Sequence, residues 1–285
     1  MKKILLPLFL IVFSIQVHAQ AFDGLSELPE QEMKGYSTPL ATWTGTYLNS
    51  GGYYSASVPK LFSFKISLVG MMIFIPDDQR TFKLDDGTES ATFFGDKGAA
   101  VPGSQGYAVY PPGVNQTKVP FGIPQISAGT LGSEVMVRFV PTLAFDDVEV
   151  GMLGVGIKHS ISQYFPLMPL DIAVQIMYNK LSITAPDLDL STTNLAFNAH
   201  ASKSFGLVSV YGGLQYESTA MDMEYTFTGS GFGDLDQNKL KLNLDGDNNV
   251  RLTLGAALKL AFFVLNADVN IGSQTAIVAG LNFEL

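Results

Sequence analysis

The sequence predicts an all-β protein, an antiparallel transmembrane β-barrel of about 12 strands (10–14) preceded by a short helical plug segment. Three observations carry that class. First, long stretches alternate with a period of two: Leu170, Ile172, Val174, Ile176 and Tyr178 oppose Asp171, Ala173, Gln175, Met177 and Asn179, one face suited to lipid and the other to water or a polar lumen. Second, the alternation of Val250, Leu252, Leu254, Ala256, Leu258 and Leu260 with Arg251, Thr253, Gly255, Ala257 and Lys259 matches the ~9–11 residues with which a tilted strand crosses a bilayer. Third, after the N-terminal segment no uncharged apolar run approaches the ~20 residues of a spanning helix; the longest is Leu68 to Pro76. A soluble β-sandwich also alternates, but its exposed faces are richer in charge than a chain with 15% charged and 47% hydrophobic residues provides.

The segment 1–19 reads as a signal peptide: Lys2 and Lys3 are its basic start, Ile4 to Val17 its apolar core, and Val17-His18-Ala19 a small-residue cleavage site. Export follows. The formal charge is −9, and losing Lys2 and Lys3 with no acid takes it to −11, which argues against nucleic acid as a partner. There is no cysteine, hence no disulfide framework and no thiolate metal site. The domain organisation expected is a signal peptide over 1–19, an N-terminal periplasmic or plug segment over 20–59, and the barrel over 60–285.

In chain order, residues 20–36 form an acidic lead-in with a helical turn at Leu25 to Leu28. Thr38 then fits an N-cap and Pro39 the first helical position, with Leu40, Trp43 and Tyr47 on one face and a stop at Asn49-Ser50-Gly51-Gly52. Such a helix plugs a barrel or packs outside a sandwich, and the residues are compatible with both. Phe62, Phe64, Ile66 and Leu68 open the first strand, which runs to Ile75; Pro76-Asp77-Asp78 turns the chain and Arg80 to Leu84 is its return. Residues 85–132, with Pro102-Gly103, Pro111-Pro112-Gly113, Pro120 and Pro124, read as one large loop folded into or over the barrel mouth. Val135, Val137 and Phe139 alternate with Glu134, Met136 and Arg138, and the strand from Val148 to His159 changes phase near Gly151, predicting a bulge there. Further strands are expected at about 190–202, 206–219, 221–229, 238–245, 249–260, 261–271 and 274–285.

The last strand places Ile277, Ala279, Leu281, Phe283 and Leu285 on one face. It resembles the C-terminal signal of bacterial outer-membrane barrels, with Leu in place of the usual final Phe or Trp. That resemblance implies recognition by the barrel assembly machinery and a place among the lipids of a Gram-negative outer membrane. The stretches Leu48 to Tyr54, Phe74 to Asp78, Val137 to Pro141, Leu153 to His159 and Pro169-Leu170-Asp171 resemble an uncharacterised family of outer-membrane proteins from Bacteroidetes, itself similar to FadL-like long-chain fatty-acid channels. Those channels have an N-terminal plug and a gated lumen for hydrophobic molecules. The resemblance therefore implies a passive, porin-like transport role for small hydrophobic compounds; a structural or adhesion barrel with a packed lumen is the alternative.

The expected lumen-lining residues are Lys65, Arg138, Asp171, Gln175, Asn198, His200, Glu217, Arg251, Lys259 and Asp268, whose charges either set what the lumen admits or pair with one another. His200 and Ser202 share a strand face, a pairing that lipid hydrolases use, but they share it with Asn194 and Asn198 on the polar side, away from lipid. Asp245-Gly246-Asp247-Asn248-Asn249 begins like a calcium loop and fails at the sixth position, Val250, and the twelfth, Ala256; it reads as a turn. Asp146, Asp147 and Glu149, and Asp187 and Asp189, read as acidic turns. Tyr164 to Met168 is an apolar entry surface or an interface anchor. The chain shows no phosphate loop, serine elbow or metal-ligand spacing, so a non-enzymatic protein without cofactor or metal is expected.

Overall fold

The computed structural model describes residues 29–103, 106–145, 147–165, 167–226 and 239–285. The signal peptide and the turn at Leu25 to Leu28 lie outside them. Among the described residues one α-helix, α1 (Glu30–Asn49), is followed by strands β1 (Ser63–Phe74), β2 (Thr81–Lys83), β3 (Glu89–Ala91), β4 (Ala100–Gly103), β5 (Gly106–Val109), β6 (Lys118–Thr130), β7 (Ser133–Phe145) and β8 (Val148–Ser160). The chain continues through β9 (Asp171–Ala185), β10 (Leu188–Phe205), β11 (Val208–Thr226), β12 (Lys239–Asp245), β13 (Val250–Leu260), β14 (Phe263–Ile271) and β15 (Thr275–Glu284).

Ten of these strands close an antiparallel ring in the order β1, β6, β7, β8, β9, β10, β11, β13, β14, β15 and back to β1. Closure leaves the ring without a terminal edge strand, as a sheet that spans a membrane requires. The count is ten instead of twelve for reasons visible in the pairing. The expected strands at 206–219 and 221–229 are, as far as the described residues reach, one strand, β11, which runs beside β10 without interruption from Val208 to Tyr225; residues 227–229 lie outside the described residues. β12 pairs only with the far half of β11, Ala220 to Thr226, while β13 pairs with the near half, Val208 to Tyr216; β12 therefore lies end to end with β13 and stands outside the ring. The expected return strand at Arg80 to Leu84 supplies only β2, which pairs with β3 beyond the wall. Conversely, the expected loop 85–132 contains a wall strand, β6, paired with β1 from Lys118 to Thr130's neighbour Gly129; Pro120 and Pro124 had disguised it. The bulge expected at Gly151 is present at that height, but the extra residue belongs to β7, where Pro141 and Thr142 together stand opposite Gly151.

The two ends of the barrel differ. At one, Leu131-Gly132 joins β6 to β7, Gly206-Leu207 joins β10 to β11 and Ala261-Phe262 joins β13 to β14. Leu131 (φ 52°) and Gly132 (φ 74°) are both left-handed, as a type I′ hairpin requires. At the other end lie residues 75–117 and the extensions of β10 and β11, a long-loop cap that covers the start of α1.

The helix begins well before the expected cap at Thr38. Glu30 and Glu32 occupy its first turn, where carboxylates favour the helix dipole, and Pro39 is tolerated inside it. Thr38 Oγ1 donates to the Lys34 carbonyl at 2.8 Å, and every residue from Pro39 to Asn49 is buried. The helix stands in the lumen with wall on all sides. Its upper half packs in an apolar interior that includes Tyr36, Leu40, Trp43, Met152, Leu190, Met221 and Leu244. Above it, Tyr110 donates to Glu32 Oε2 at 2.6 Å; burial first, and then that carboxylate, push the Tyr110 hydroxyl up to about 12.

Candidate functional site

The plug is bolted at its C-terminal end. The last carbonyls of a helix have no partner within it and carry a partial negative charge, and here two buried guanidinium groups of the wall meet them. Arg138, 0% exposed, donates from Nη1 to Leu48 O at 2.8 Å, from Nη2 to Ser50 O at 2.9 Å and from Nε to Gln125 Oε1 at 2.9 Å. Arg251 donates from Nη1 to Thr46 O and to Ser50 Oγ, and from Nη2 to Glu217 Oε1 at 2.7 Å. Glu217 also accepts from Gln215 and Asn248, and Gln215 from its amide reaches Asn49 O. Among the described residues no carboxylate lies within ion-pair distance of Arg138, so the helix terminus is its principal counter-charge.

A second tier of polar residues continues towards the short turns. Gln175 donates to Gly52 O at 3.1 Å, and Asn198 donates to Gln175 and Gln215. His200 Nδ1 lies 2.8 Å from Asn198 Oδ1 and its ring stacks on Tyr53 at 3.9 Å. Asp268 accepts from Tyr211 at 2.7 Å and from Asn270 at 2.6 Å. Lys65 pairs with Glu134 at 2.7 Å. Lys259 pairs with Glu284 at 2.6 Å and keeps 58% of its side chain exposed, and Asp171 is half-buried at the start of β9. Eight of the ten expected residues thus sit buried against the plug, while Asp171 and Lys259 occupy the rim.

His200 and Ser202 are not joined. Ser202 Oγ accepts from the Ala56 N–H at 2.9 Å, and both residues are buried against the plug. The Asp245 to Asn249 stretch is the break between β12 and β13. Asn248 turns inward to Glu217 at 3.0 Å and the Asp247 N–H reaches Thr42 Oγ1; among the described residues no cluster fit for a metal occurs. Sequence reasoning missed Glu134, Lys158, Gln215 and Glu284 as luminal partners. Glu134 shares the phase of Arg138, and Lys158 alternates with Ile157, so the period-two rule was sufficient to find both.

The wall is not uniformly paired. β6 and β7 are joined only from Gln125/Arg138 to Thr130/Ser133, whereas β6 stays with β1 as far as Lys118 and β7 with β8 as far as Phe145. In a two-residue hairpin the residues flanking the turn exchange both hydrogen bonds, and every second pair does so thereafter. Those pairs are Thr130/Ser133, Ala128/Val135 and Ile126/Val137; the next are Pro124/Phe139 and Gly122/Pro141. Each of these has a proline where an N–H is needed, and the ladder stops there. The Gly122 carbonyl, left without β7, is approached by the Tyr47 hydroxyl of the plug at 3.4 Å. Behind this seam stand Phe121, 4.4 Å from the Tyr47 ring and 5.1 Å from Trp43, and Phe94, 6.3 Å from Trp43.

The sequence matches a family of unknown function, DUF6588, over residues 1–285. The chain belongs to that family. No curated protein matches it significantly. Among solved structures the DUF6588 chain is similar to the outer membrane protease OmpT from Escherichia coli, with 9% identity over 79% of this chain and 96% of that one at a TM-score of 0.34. It is also similar to Ail, the attachment invasion locus protein of Yersinia pestis, with 10% identity over 79% and 99% at 0.24. The translocator domain of the autotransporter NalP from Neisseria meningitidis gives 13% identity over 89% and 95% at 0.28. This DUF6588 protein has the fold of an outer-membrane-type barrel: a closed ring of strands with an outward apolar band.

Proposed function

We propose that the protein is an outer-membrane barrel that passes small hydrophobic compounds sideways, between its apolar upper interior and the bilayer, through the β6–β7 seam. The observation that carries this reading is the alignment of Pro120, Pro124 and Pro141 on the two facing strand edges, which withholds the hydrogen bonds that would zip the wall. The seam lies within the apolar band: Leu68 and Ile277, at its height on β1 and β15, are 37% and 47% exposed. With the short turns on the periplasmic side, as in such barrels generally, it faces the outer leaflet. Passage straight through the lumen is opposed by the arginine layer. The resemblance to fatty-acid channels points the same way. On this reading outer-membrane lipid surrounds the band, and the assembly machinery engages β15.

The test uses the absence of native cysteine. A Gly122→Cys, Pro141→Cys protein, joined across the seam by a short bis-maleimide, is expected to lose protein-dependent uptake of a hydrophobic fluorescent probe by cells, while the uncrosslinked protein retains it. Uptake that survives crosslinking refutes the seam as the route. If no protein-dependent uptake occurs at all, the second reading, a structural or adhesion barrel, is favoured; the packing of Arg138 and Arg251 around the plug supports it.

A further inference from the structure

On the far side of the arginine layer from the seam, the short-turn mouth contains a cavity of about 520 Å³, within the range of small-molecule sites. Tyr54, Lys65 and Glu284 form its inner part, Lys259 stands at its rim, and Phe62 and Val264 give it apolar wall. Its acids are already engaged. Glu284 accepts Tyr54 at one oxygen and Lys259 at the other, both at 2.6 Å, and Glu134 behind it lies between Lys65 at 2.7 Å and Lys158 at 2.9 Å. The donors are not exhausted. An ammonium offers three, and Lys259 directs one at Glu284 while most of its side chain faces solvent; the hydroxyls of Ser55, Ser57 and Ser209 line the same space, Ser55 Oγ accepting from the Ser57 N–H at 3.1 Å and lying 3.5 Å from Ser202 Oγ, and Ser209 Oγ lying 2.9 Å from Ser204 Oγ.

We propose that this mouth binds a small amphiphile with one oxyanion head, seated on Lys259 and the serine hydroxyls, and an apolar portion against Phe62 and Val264. A surplus of donors over free acceptors selects an acceptor-rich head, and the mixed lining excludes a purely apolar guest. The head comes from a soluble amphiphile or from an anionic lipid of the adjacent leaflet, which share this chemistry. The site is separate from the seam: its lining meets β6 and β7 only towards the short turns, at Gly129 and Glu134, and includes none of the seam residues from Val119 to Pro124 or from Phe139 to Pro141.

The experiment is calorimetric titration of octyl phosphate into the full chain in phosphatidylcholine nanodiscs, with octanol as the uncharged control, and native mass spectrometry of lipid retained from discs containing phosphatidylglycerol. Octyl phosphate is expected to bind and octanol not. Lys259→Met should weaken binding about tenfold or more, the loss of one charged hydrogen bond, and Lys259→Arg should keep it. Ser57→Trp, at a lining residue that takes no part in the ion pairs, should fill the space and abolish binding in a protein that still shifts on heating in a gel. Retention of phosphatidylglycerol that Lys259→Met abolishes, without octyl phosphate binding, identifies the lipid head as the ligand. Absence of both ligands, equal binding of octanol, or binding unaltered in both Lys259→Met and Ser57→Trp overturns the proposal.

Discussion

Replacing Arg138 by Met should release the plug while leaving the wall closed. The guanidinium makes three hydrogen bonds, two to the end of α1 and one to Gln125, from a site that is fully buried. Bonds from a charged donor contribute about 1.5–3 kcal/mol each, but removing Arg138 also removes the desolvation cost of a buried charge. Water entering the lumen will satisfy part of what is left, so about 3–5 kcal/mol of plug docking remains as the expected loss, roughly two to four orders of magnitude in the docking equilibrium. The wall itself loses only the Gln125 contact. Trp43, the chain's one tryptophan, lies on the plug and reports its position, while the heat-dependent gel shift reports the wall. In Arg138→Met, Trp43 emission should shift to the red and become quenchable by acrylamide in native buffer, with the gel shift preserved. Arg138→Lys keeps the charge but not the fork that spans Leu48 O and Ser50 O, and should fall between. If Trp43 in Arg138→Met remains as protected as in the parent, or if plug and wall are lost together at one temperature, the helix terminus is not held as argued.

Gly45→Val should give the same Trp43 signature, because a Cβ there would stand 2.0 Å from Thr219 Oγ1 and 2.3 Å from Asn248 Nδ2; about 1–3 kcal/mol of overpacking is expected. Glu134→Gln leaves Lys65 and Lys158 facing each other and should cost about 3–5 kcal/mol, seen as a lower temperature for the gel shift, whereas Glu224→Gln, whose partners Lys239 and Lys241 are far more exposed, should leave that temperature unchanged. The Tyr110 hydroxyl, held neutral up to about 12, stabilises the long-loop cap fully below the unfolded value near 10, and that contribution is lost as pH rises from there through about 12. Limited proteolysis of residues 75–117 across this window should therefore accelerate in the parent and lose part of its pH dependence in Tyr110→Phe.

The wall was largely legible because its signal is local. Where one face is an exposed apolar band and the other meets the barrel interior, as in β9, β13 and β15, each strand writes the period of two directly into its residues. Three elements were not legible, each for a different reason. β6 hid behind Pro120 and Pro124, which are tolerated because their missing N–H groups face the unpaired seam, a fact about β7 that β6 does not contain. β12 alternates like any wall strand, and only the partner it finds along β11 separates it from the ring. The helix was expected in the right place but too short: α1 is enclosed on all sides only from Pro39 to Asn49, the apolar face of Leu40, Trp43 and Tyr47 does not extend through its first turns, and those turns are fixed by contacts with residues 75–117 far along the chain.

The same enclosure explains why residues such as Arg138, Glu217 and Arg251 could be placed on the inner face from sequence while their partners could not. Alternation states which way a side chain points; it does not state what stands opposite. In a barrel of ten strands the opposite wall is close enough that a single helix fills the middle, so an inward charge meets helix backbone before it meets water. That geometry divides the interior into an apolar tier beside the seam and a polar tier beside the short turns, with the arginine layer between them. On the proposed readings, a compound passing through the seam and an amphiphile held at the short-turn mouth would occupy separate compartments. Displacing the plug with Arg138→Met should join them, and in that variant blocking the seam should no longer stop hydrophobic uptake.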